Sequence, residues 1–331
     1  MGVNLRGIIS AKEISAKDLS GRVVAIDAFN WIYQFLTTIR LADGSPLTDR
    51  KGEITSHING LFYRSVMLLS NGIIPWFVFD GKAPKFKKAT LLEREKAKEK
   101  AAQMAEAAKT EAEKLSFMKR SARIDDYIIE SSKELLSLLG IPYLQAPAEG
   151  EAEAAYLNSK GIASYVASQD YDSLLFGAMK VVRNLNVSER KKALNRGVTV
   201  HVKPELIDTN EIFKATGLNR EKLILMGLLI GTDYNSGVEG IGPKRALDIV
   251  KVNSKESMLS KYNFGTEYKI DEIYNYFMHP NVVDSVRPHL DKIDEGKLVE
   301  FMSEKHSFDR DRVINSVAKL AKSNENVLSN F

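Results

Sequence analysis

Three apolar runs in this chain lead into aspartate, and that pattern constrains the fold more than any other feature. Val23-Val-Ala-Ile26 ends at Asp27, and Ile73-Ile-Pro-Trp-Phe-Val-Phe79 ends at Asp80. Ala163 to Ala167 runs through Ser168 and Gln169 to Asp170 and Asp172. Short continuous apolar runs of this kind suit strands buried on both faces of a parallel sheet. Helical spacing fills the intervals. Ala28 to Arg40 groups Trp31, Ile32, Phe35 and Leu36, and Thr55 to Ser70 groups Ile58, Leu61, Phe62, Val66 and Leu69. Such alternation predicts an α/β fold with a mostly parallel central sheet flanked by helices. A parallel sheet brings the C-terminal ends of its strands to one edge, where ligands bind. Acids distant in sequence then converge.

The stretch from Ala146 to Phe176 adds two carboxylate pairs, Glu149/Glu151 and Asp170/Asp172. Glu149 and Glu151 would diverge on a regular helix, but at a helix start both can face one site. Asp233, in LLIGTDYN, ends an apolar helix. Taken singly these acids have plainer readings. Glu149 and Glu151 complement a helix dipole, Asp170 and Asp172 sit in a turn, and Asp27 and Asp80 cap the helix or turn after each strand. The joint pattern favours a shared site. Glu153 is left to the dipole role. Two like charges about 4 Å apart repel by about 4 kcal/mol at an effective dielectric of about 20, so converged carboxylates require cations. Hard oxygen ligands, with no cysteine in the chain and no nearby histidine, select Mg2+ or Mn2+ over Zn2+. Two such ions can activate water and stabilise the leaving oxygen of a phosphodiester.

Lys82 to Lys119 differs in kind. It is rich in Lys, Glu and Ala with a thin apolar stripe, so it forms helix readily and packs poorly. It reads either as a solvated or partly disordered insertion or as a mobile arch beside the site, with Lys82, Lys85, Lys87, Lys88 and Arg94 at its basic start. Arg123 to Leu139 returns to an amphipathic helix, and Ile141–Leu144, Met179–Val182 and Val198–Val202 read as strands. From Asn210 onward helices dominate, at Glu211–Thr216, Arg220–Ile230, Pro243–Val250, Asp271–Phe277, Asp294–Lys305 and Asp309–Lys322. Within that region Gly240-Ile-Gly242 can form a tight hairpin, with Pro243 preset for the next helix. Exposed amides there, with Lys244 and Arg245, suit a helix–hairpin–helix that grips DNA backbone without reading sequence; the plainer reading is an ordinary helix–turn–helix connection. A net charge of +4, from 47 basic and 43 acidic residues, says little about nucleic acid by itself. No apolar run reaches membrane-spanning length and no signal-peptide pattern is present. The lack of cysteine suits a reducing interior, so the expectation is a cytoplasmic protein.

VVAIDAFNWIYQFL, FVFDGKAPKFK, APAEGEAEAAYL, SQDYDSLLFG and LLIGTDYNSGVEGIGPKRA resemble the flap endonuclease family, within the wider Rad2-like group that includes the xeroderma-pigmentosum group G nucleases. The resemblance covers nearly the whole chain and looks like the archaeal branch. It implies a PIN-like 5′ nuclease fold and a structure-specific 5′ flap endonuclease with 5′→3′ exonuclease activity. Such an enzyme cuts near single-strand/double-strand junctions by two-metal-ion catalysis, in Okazaki-fragment processing and repair. It also implies Mg2+ (or Mn2+) on Asp27, Asp80, Glu149, Glu151, Asp170, Asp172 and Asp233. By the same mapping Lys87 and Arg94 contact the scissile phosphate, Tyr33 stacks on the base beside the cut, and Gly2 lies near the site. Gly240, Gly242, Lys244 and Arg245 hold the downstream duplex, with K+ on the hairpin carbonyls. The implied segmentation is an N-terminal nuclease region (1–81), a helical arch (82–125), an internal nuclease region (126–233), a duplex-binding helical region (234–322) and a tail (323–331). The tail departs from the family's sliding-clamp (PCNA) motif. Leu328 and Phe331 keep its spacing, while Glu325 replaces glutamine and the second aromatic is missing. The implied enzyme is a monomer in the prokaryotic nucleoid. The alternatives are a junction-resolving or repair nuclease of the same fold and a non-catalytic DNA-structure-binding protein.

Overall fold

A computed structural model describes residues 2–186, 190–192, 199–284 and 287–324 of the chain. The apolar runs are strands. β1 is Lys12–Glu13, β2 Val23–Asp27, β3 Ile74–Phe79, β4 Tyr143–Gln145, β5 Tyr165–Ala167, β6 Lys180–Arg183, β7 Arg190–Lys192, β8 Thr199–His201 and β9 Glu205–Asp208. The main sheet has the order β1-β9-β6-β5-β2-β3-β4. The five strands from β6 to β4 run parallel, and β9 and β1 add antiparallel partners at one edge.

The central strands are apolar throughout because both faces are covered. Val24, Ile26, Phe77 and Phe79 point into one core, while Ala25, Trp76 and Val78 point into the other. On the first face lie α1 (Ala28–Thr38), α2 (Ser56–Ser70) and α5 (Asp126–Leu138). The chain's end returns to that face as α13 (Glu295–Val299), a π-helical turn (Glu300–Lys305) and α14 (Arg310–Asn324). The second face carries α6 (Gly150–Ser159), α7 (Asp172–Leu175), α8 (Thr209–Thr216) and α9 (Arg220–Ile230). With them lie α10 (Pro243–Val252), α11 (Lys255–Lys261) and α12 (Ile270–Met278). Leu229, Tyr234, Ile241 and Phe277 share this core with β5 and β6, so the glycine hairpin stands on the nuclease core itself.

Several elements differ from the sequence reading. Val198–Val202 contributes β8, which among the described residues pairs with β7 outside the main sheet. The strand read at Ile141–Leu144 begins after Pro142, which lacks a backbone donor. The helix read across Asp294–Lys305 is α-helical only to Val299.

The Lys/Glu-rich insertion forms α3 (Lys88–Glu106), entered through a 3-10 turn at Lys85–Lys87, and α4 (Glu111–Arg120). The two pack on each other. Thr110 caps α4 by accepting from the Glu113 N–H at 3.2 Å, and Arg123 closes on Glu95 at 2.7 Å. Between residues 82 and 120 only Phe86 and Ala101 are buried. The insertion is therefore a largely solvated helical pair, held at its base by Phe86 and along α4 by α1 and the turn at Gly44.

Candidate active site

Asp27 ends β2 and caps α1, where its Oδ1 accepts from the Asn30 N–H at 3.0 Å. Asp80 comes directly after β3, beside it in the sheet. Its Oδ1 accepts from the Gly150 N–H at 2.7 Å. That close approach requires glycine, since a Cβ at 150 would meet Asp80 Oδ1 at 2.9 Å, and one at Gly81 would meet Ala146 O at 2.0 Å. Strand ends thus deliver two acids, and the packing of β3 against the start of α6 delivers the next two. Glu149 stands at the cap of α6, buried, and receives both the Lys87 ammonium and the Tyr234 hydroxyl. Glu151, in the first turn, accepts from the Ser173 N–H at 3.0 Å and the Ser168 hydroxyl at 3.3 Å.

The β5–α7 turn supplies Asp170 and Asp172. Asp170 is exposed and receives the Asn30 carboxamide at 3.2 Å. Asp172 is buried, and its Oδ1 accepts from the Val3 N–H at 2.6 Å. A Cβ at Gly2 would lie 2.5 Å from Asp172 Oδ2, so the N-terminal segment presses directly on this acid. Asp233, after α9, is gripped by Arg94, whose Nη2 donates to both carboxylate oxygens at 2.6 and 2.7 Å. Lys87 Nζ lies 3.6 Å from the same group.

These distances carry an electrostatic conflict. Burial, then Asp80, pushes the Asp27 carboxyl up to about 7 against the Asn30 N–H. Burial pushes Asp172 up to about 7 as well, with Asp233 and Asp170 adding to it. Glu151 is driven well above the carboxylate range by burial and then by Asp172, Asp170, Asp27 and Glu149. Burial also raises Asp80 and Glu149, though Lys87 opposes it at both. Asp233 goes the other way: burial acts upward, but Arg94 and Lys87 outweigh it and hold the carboxyl down. Lys87 is held cationic, because Glu149, Asp233 and Asp80 outweigh its own burial. Crowded acids whose ionisation is resisted by their neighbours call for positive charge, and an all-oxygen donor set fits a hard divalent ion. Among the described residues no three such side chains are drawn together into a closed ion cage. The cations at hand are Lys87 and Arg94.

Other positions read from sequence fall around this centre. Tyr33 is exposed on α1, with Lys98 of α3 at 5.9 Å from its ring. Gly240 has φ +74, and Gly242 precedes Pro243 at the first position of α10. Lys244 and Arg245 are exposed there, with Arg245 Nη1 donating to Gly240 O at 3.4 Å. Leu328 and Phe331 lie outside the described residues. Glu153 is fully buried and accepts from the Val283 N–H at 2.8 Å, so it holds a distant loop rather than serving a helix dipole alone. Sequence reasoning missed Asn30, Thr90 and Tyr234. Two of them lie inside the motifs DAFN and TDYN, Asn30 three residues after Asp27 and Tyr234 directly after Asp233, and that proximity was the available signal.

Comparison with known proteins places this geometry. The sequence model of the XPG N-terminal domain matches residues 1–101, and that of the XPG I-region matches residues 140–233. Flap endonuclease 1 of Methanocella arvoryzae is 45% identical over 316 residues, covering 95% of this chain and 93% of that protein. Flap endonuclease 1 of Thermococcus onnurineus is 46% identical over 328 residues, with 97% and 95% covered. Among solved structures, flap endonuclease-1 from Methanococcus jannaschii aligns with a TM-score of 0.77 at 40% identity, each chain 100% covered. The catalytic core of Rad2 in complex with DNA substrate shares the fold, with a TM-score of 0.69 at 24% identity over 94% of this chain and 96% of that one.

Proposed function

The chain belongs to the flap endonuclease family, and on that premise we propose that it cuts 5′ flaps near the single-strand/double-strand junction. It is a structure-specific DNA endonuclease of replication and repair, a hydrolase of phosphodiester bonds. DNA is its partner, and its family is generally dependent on divalent metal. The finer reading adds 5′→3′ exonuclease activity and a pair of Mg2+ ions held by Asp27, Asp80, Glu149, Glu151, Asp170, Asp172 and Asp233. The observation that carries it is the set of crowded acids at the C-terminal sheet edge, entered by two cations from the arch.

Each residue then has a task. The carboxylates bind the ions, which when present supply an activated water and charge stabilisation at phosphoryl oxygens. Lys87 and Arg94 bring fixed positive charge from the arch base and bind the scissile phosphate. Charge-assisted donors of this kind act most strongly where charge develops in the transition state. Tyr33 offers its exposed ring to the base beside the cut. The free amides at the start of α10, with Lys244 and Arg245, hold the duplex backbone. The same reading places K+ on the hairpin carbonyls, a sliding clamp at Leu328 and Phe331, and a monomer in the cytoplasm.

Cleavage of end-labelled flap, bubble, nicked and four-way-junction DNAs, with and without Mg2+, tests it. The expected result is Mg2+-dependent cutting of the flap in preference to the others. Preferred cutting of the four-way junction would favour a resolvase, and binding of every substrate with no cutting would favour a pure binder.

A further inference from the structure

The arch base carries a residue that metal and phosphate chemistry leaves without a role. Phe86 precedes Lys87 in the 3-10 turn and, with Ala101, is one of the two buried residues between 82 and 120. It sits among three tyrosines. The Tyr268 ring is 5.2 Å away at 90°, Tyr276 5.9 Å and Tyr234 6.5 Å. Edge-to-face contacts of this kind fix orientation as well as bury area. The turn is pinned again on its polar side. Tyr268 donates its hydroxyl to Lys85 O at 3.0 Å, and Lys85 pairs with Glu272 at 2.6 Å.

The consequence is geometric. Lys87, Thr90 and Arg94 are spaced by three and four, so they lie along one helical stripe. Lys87 reaches Glu149 and Asp233, Thr90 donates its hydroxyl to Asp233 O at 2.7 Å, and Arg94 grips the Asp233 carboxylate. That stripe is aimed by whatever holds its first turn. α3 itself buries only Ala101, so the anchor of its first turn is Phe86 in the 3-10 turn before it. Tyr234 ties the anchor to the acids, since it packs on Phe86 and donates to Glu149.

We propose that Phe86, seated between Tyr234, Tyr268 and Tyr276, is a positioning residue that sets where Lys87 and Arg94 meet the carboxylates. The cage belongs to the helical region that carries the glycine hairpin, so the arch cations are referenced to the duplex-binding side of the protein. The proposal rests on the flap-endonuclease reading for its effect on rate, and on geometry alone for its effect on Lys87.

Two readouts on the full chain keep these apart. The first is the acylation rate of Lys87 by an amine-reactive reagent, measured by peptide mass spectrometry in metal-free buffer. In the wild type, Lys87 should react about tenfold more slowly than Lys82 and Lys88. Phe86→Ala should erase that protection and Phe86→Leu should keep most of it. Retained protection in Phe86→Ala overturns the proposal whatever the protein cleaves. The second is single-turnover cleavage of a 5′-flap duplex in Mg2+. Phe86→Ala should slow it about 30- to 100-fold, with flap affinity within about threefold. In a Lys87→Ala background the same change should cost clearly less than in the wild type, the remainder acting through Arg94. Equal cost in both backgrounds, or a loss confined to affinity, also overturns it. Should Phe86→Ala fail to fold, Tyr268→Phe removes only the hydroxyl bond to Lys85. It should expose Lys87 and slow cleavage several-fold, and an unchanged Lys87 rate in that variant counts against the proposal. A wild type that protects Lys87 but cuts no flap refutes the activity and leaves the anchor standing.

Discussion

Replacing Asp172 by asparagine should stabilise the metal-free protein while ending cleavage. Asp172 is buried, and burial with Asp233 and Asp170 pushes its carboxyl from 3.8 to about 7. The folded state therefore holds that proton more tightly than the unfolded chain. Stability is unaffected below about pH 4, falls as pH rises through the folded-state value, and stays low above it. Three units correspond to about 4 kcal/mol at about 1.36 kcal/mol per unit. Asp27 is pushed to about 7 in the same cluster, so part of that figure belongs to the group, and about 2 kcal/mol is the share expected for one charge. Asparagine keeps the shape, and its carboxamide oxygen can still accept from the Val3 N–H. At about 2.1 cal/mol/K per residue the unfolding entropy is about 0.7 kcal/mol/K for this chain, so 2 kcal/mol amounts to about 3 °C. Calorimetry in EDTA should show Asp172→Asn melting about 3 °C above wild type at pH 8, with no gain at pH 4. Added Mg2+ should raise the wild type more than the variant. The variant should bind a 5′ flap and not cut it. A variant less stable than wild type at pH 8 in EDTA, or a gain independent of pH, would refute the crowding argument.

The arch and hairpin give separate tests. Lys87→Ala should lower the single-turnover rate by about 10²–10³ with flap affinity changed less than about threefold, and an unchanged rate would remove Lys87 from the chemistry. Lys244→Ala with Arg245→Ala should weaken duplex binding uniformly across sequences and reduce the salt slope by about 2. An unchanged slope in binding titrations would take both off the DNA. His57 is buried against the Ser131 hydroxyl at 2.8 Å, its Nδ1 without a hydrogen-bond partner among the described residues, and burial pushes it down to about 3 from 6.5. The unfolded chain takes that proton first, so stability should fall below about pH 6.5, by about 2 kcal/mol at pH 5. Melting curves of His57→Gln should decline less steeply between pH 6.5 and 4, and parallel curves would exclude His57 as the cause.

The acids were legible because strand ends are. Asp27 and Asp80 close apolar runs long enough to be strands, and a parallel sheet leaves them little freedom to separate. Lys12–Glu13 and Glu205–Asp208 escaped notice because each is short and half its residues or more are charged. β9 pairs with β6, and β1 pairs with β9 from the far end of the sequence, so no local window contains the β1–β9 pairing. Tyr234 offered no local sign that its hydroxyl would reach Glu149. That contact arises from α9 and α6 packing on the same face of the sheet, which no window of sequence contains. Lys87 and Arg94 were assigned by family resemblance, and their shared stripe with Thr90 became visible only with Phe86 in place. The insertion left two readings open by composition, since a chain of Lys, Glu and Ala makes solvated helices with or without a function. The structure shows a helical pair whose base brings Lys87 and Arg94 to the acids.

Charge balance links metal and substrate at this site. Counted as formal charges with every carboxylate ionised, the seven proposed ligands with Lys87 and Arg94 carry five negatives, while the whole chain is +4. The remainder is therefore positive by about nine. Such a surface attracts DNA, but the acids at the sheet edge repel the phosphate that must enter. Lys87 and Arg94 cannot reverse that sign, because Glu149 and Asp233 already engage them. Two divalent cations would bring the site close to neutrality and weaken the hold of those acids on both side chains. Flap binding to metal-free protein should accordingly rest on the hairpin and arch surfaces, with the scissile phosphate held away from the carboxylates. Asp172→Asn, which removes one negative charge, should tighten metal-free flap binding while cleavage is lost, and weaker binding would contradict this balance.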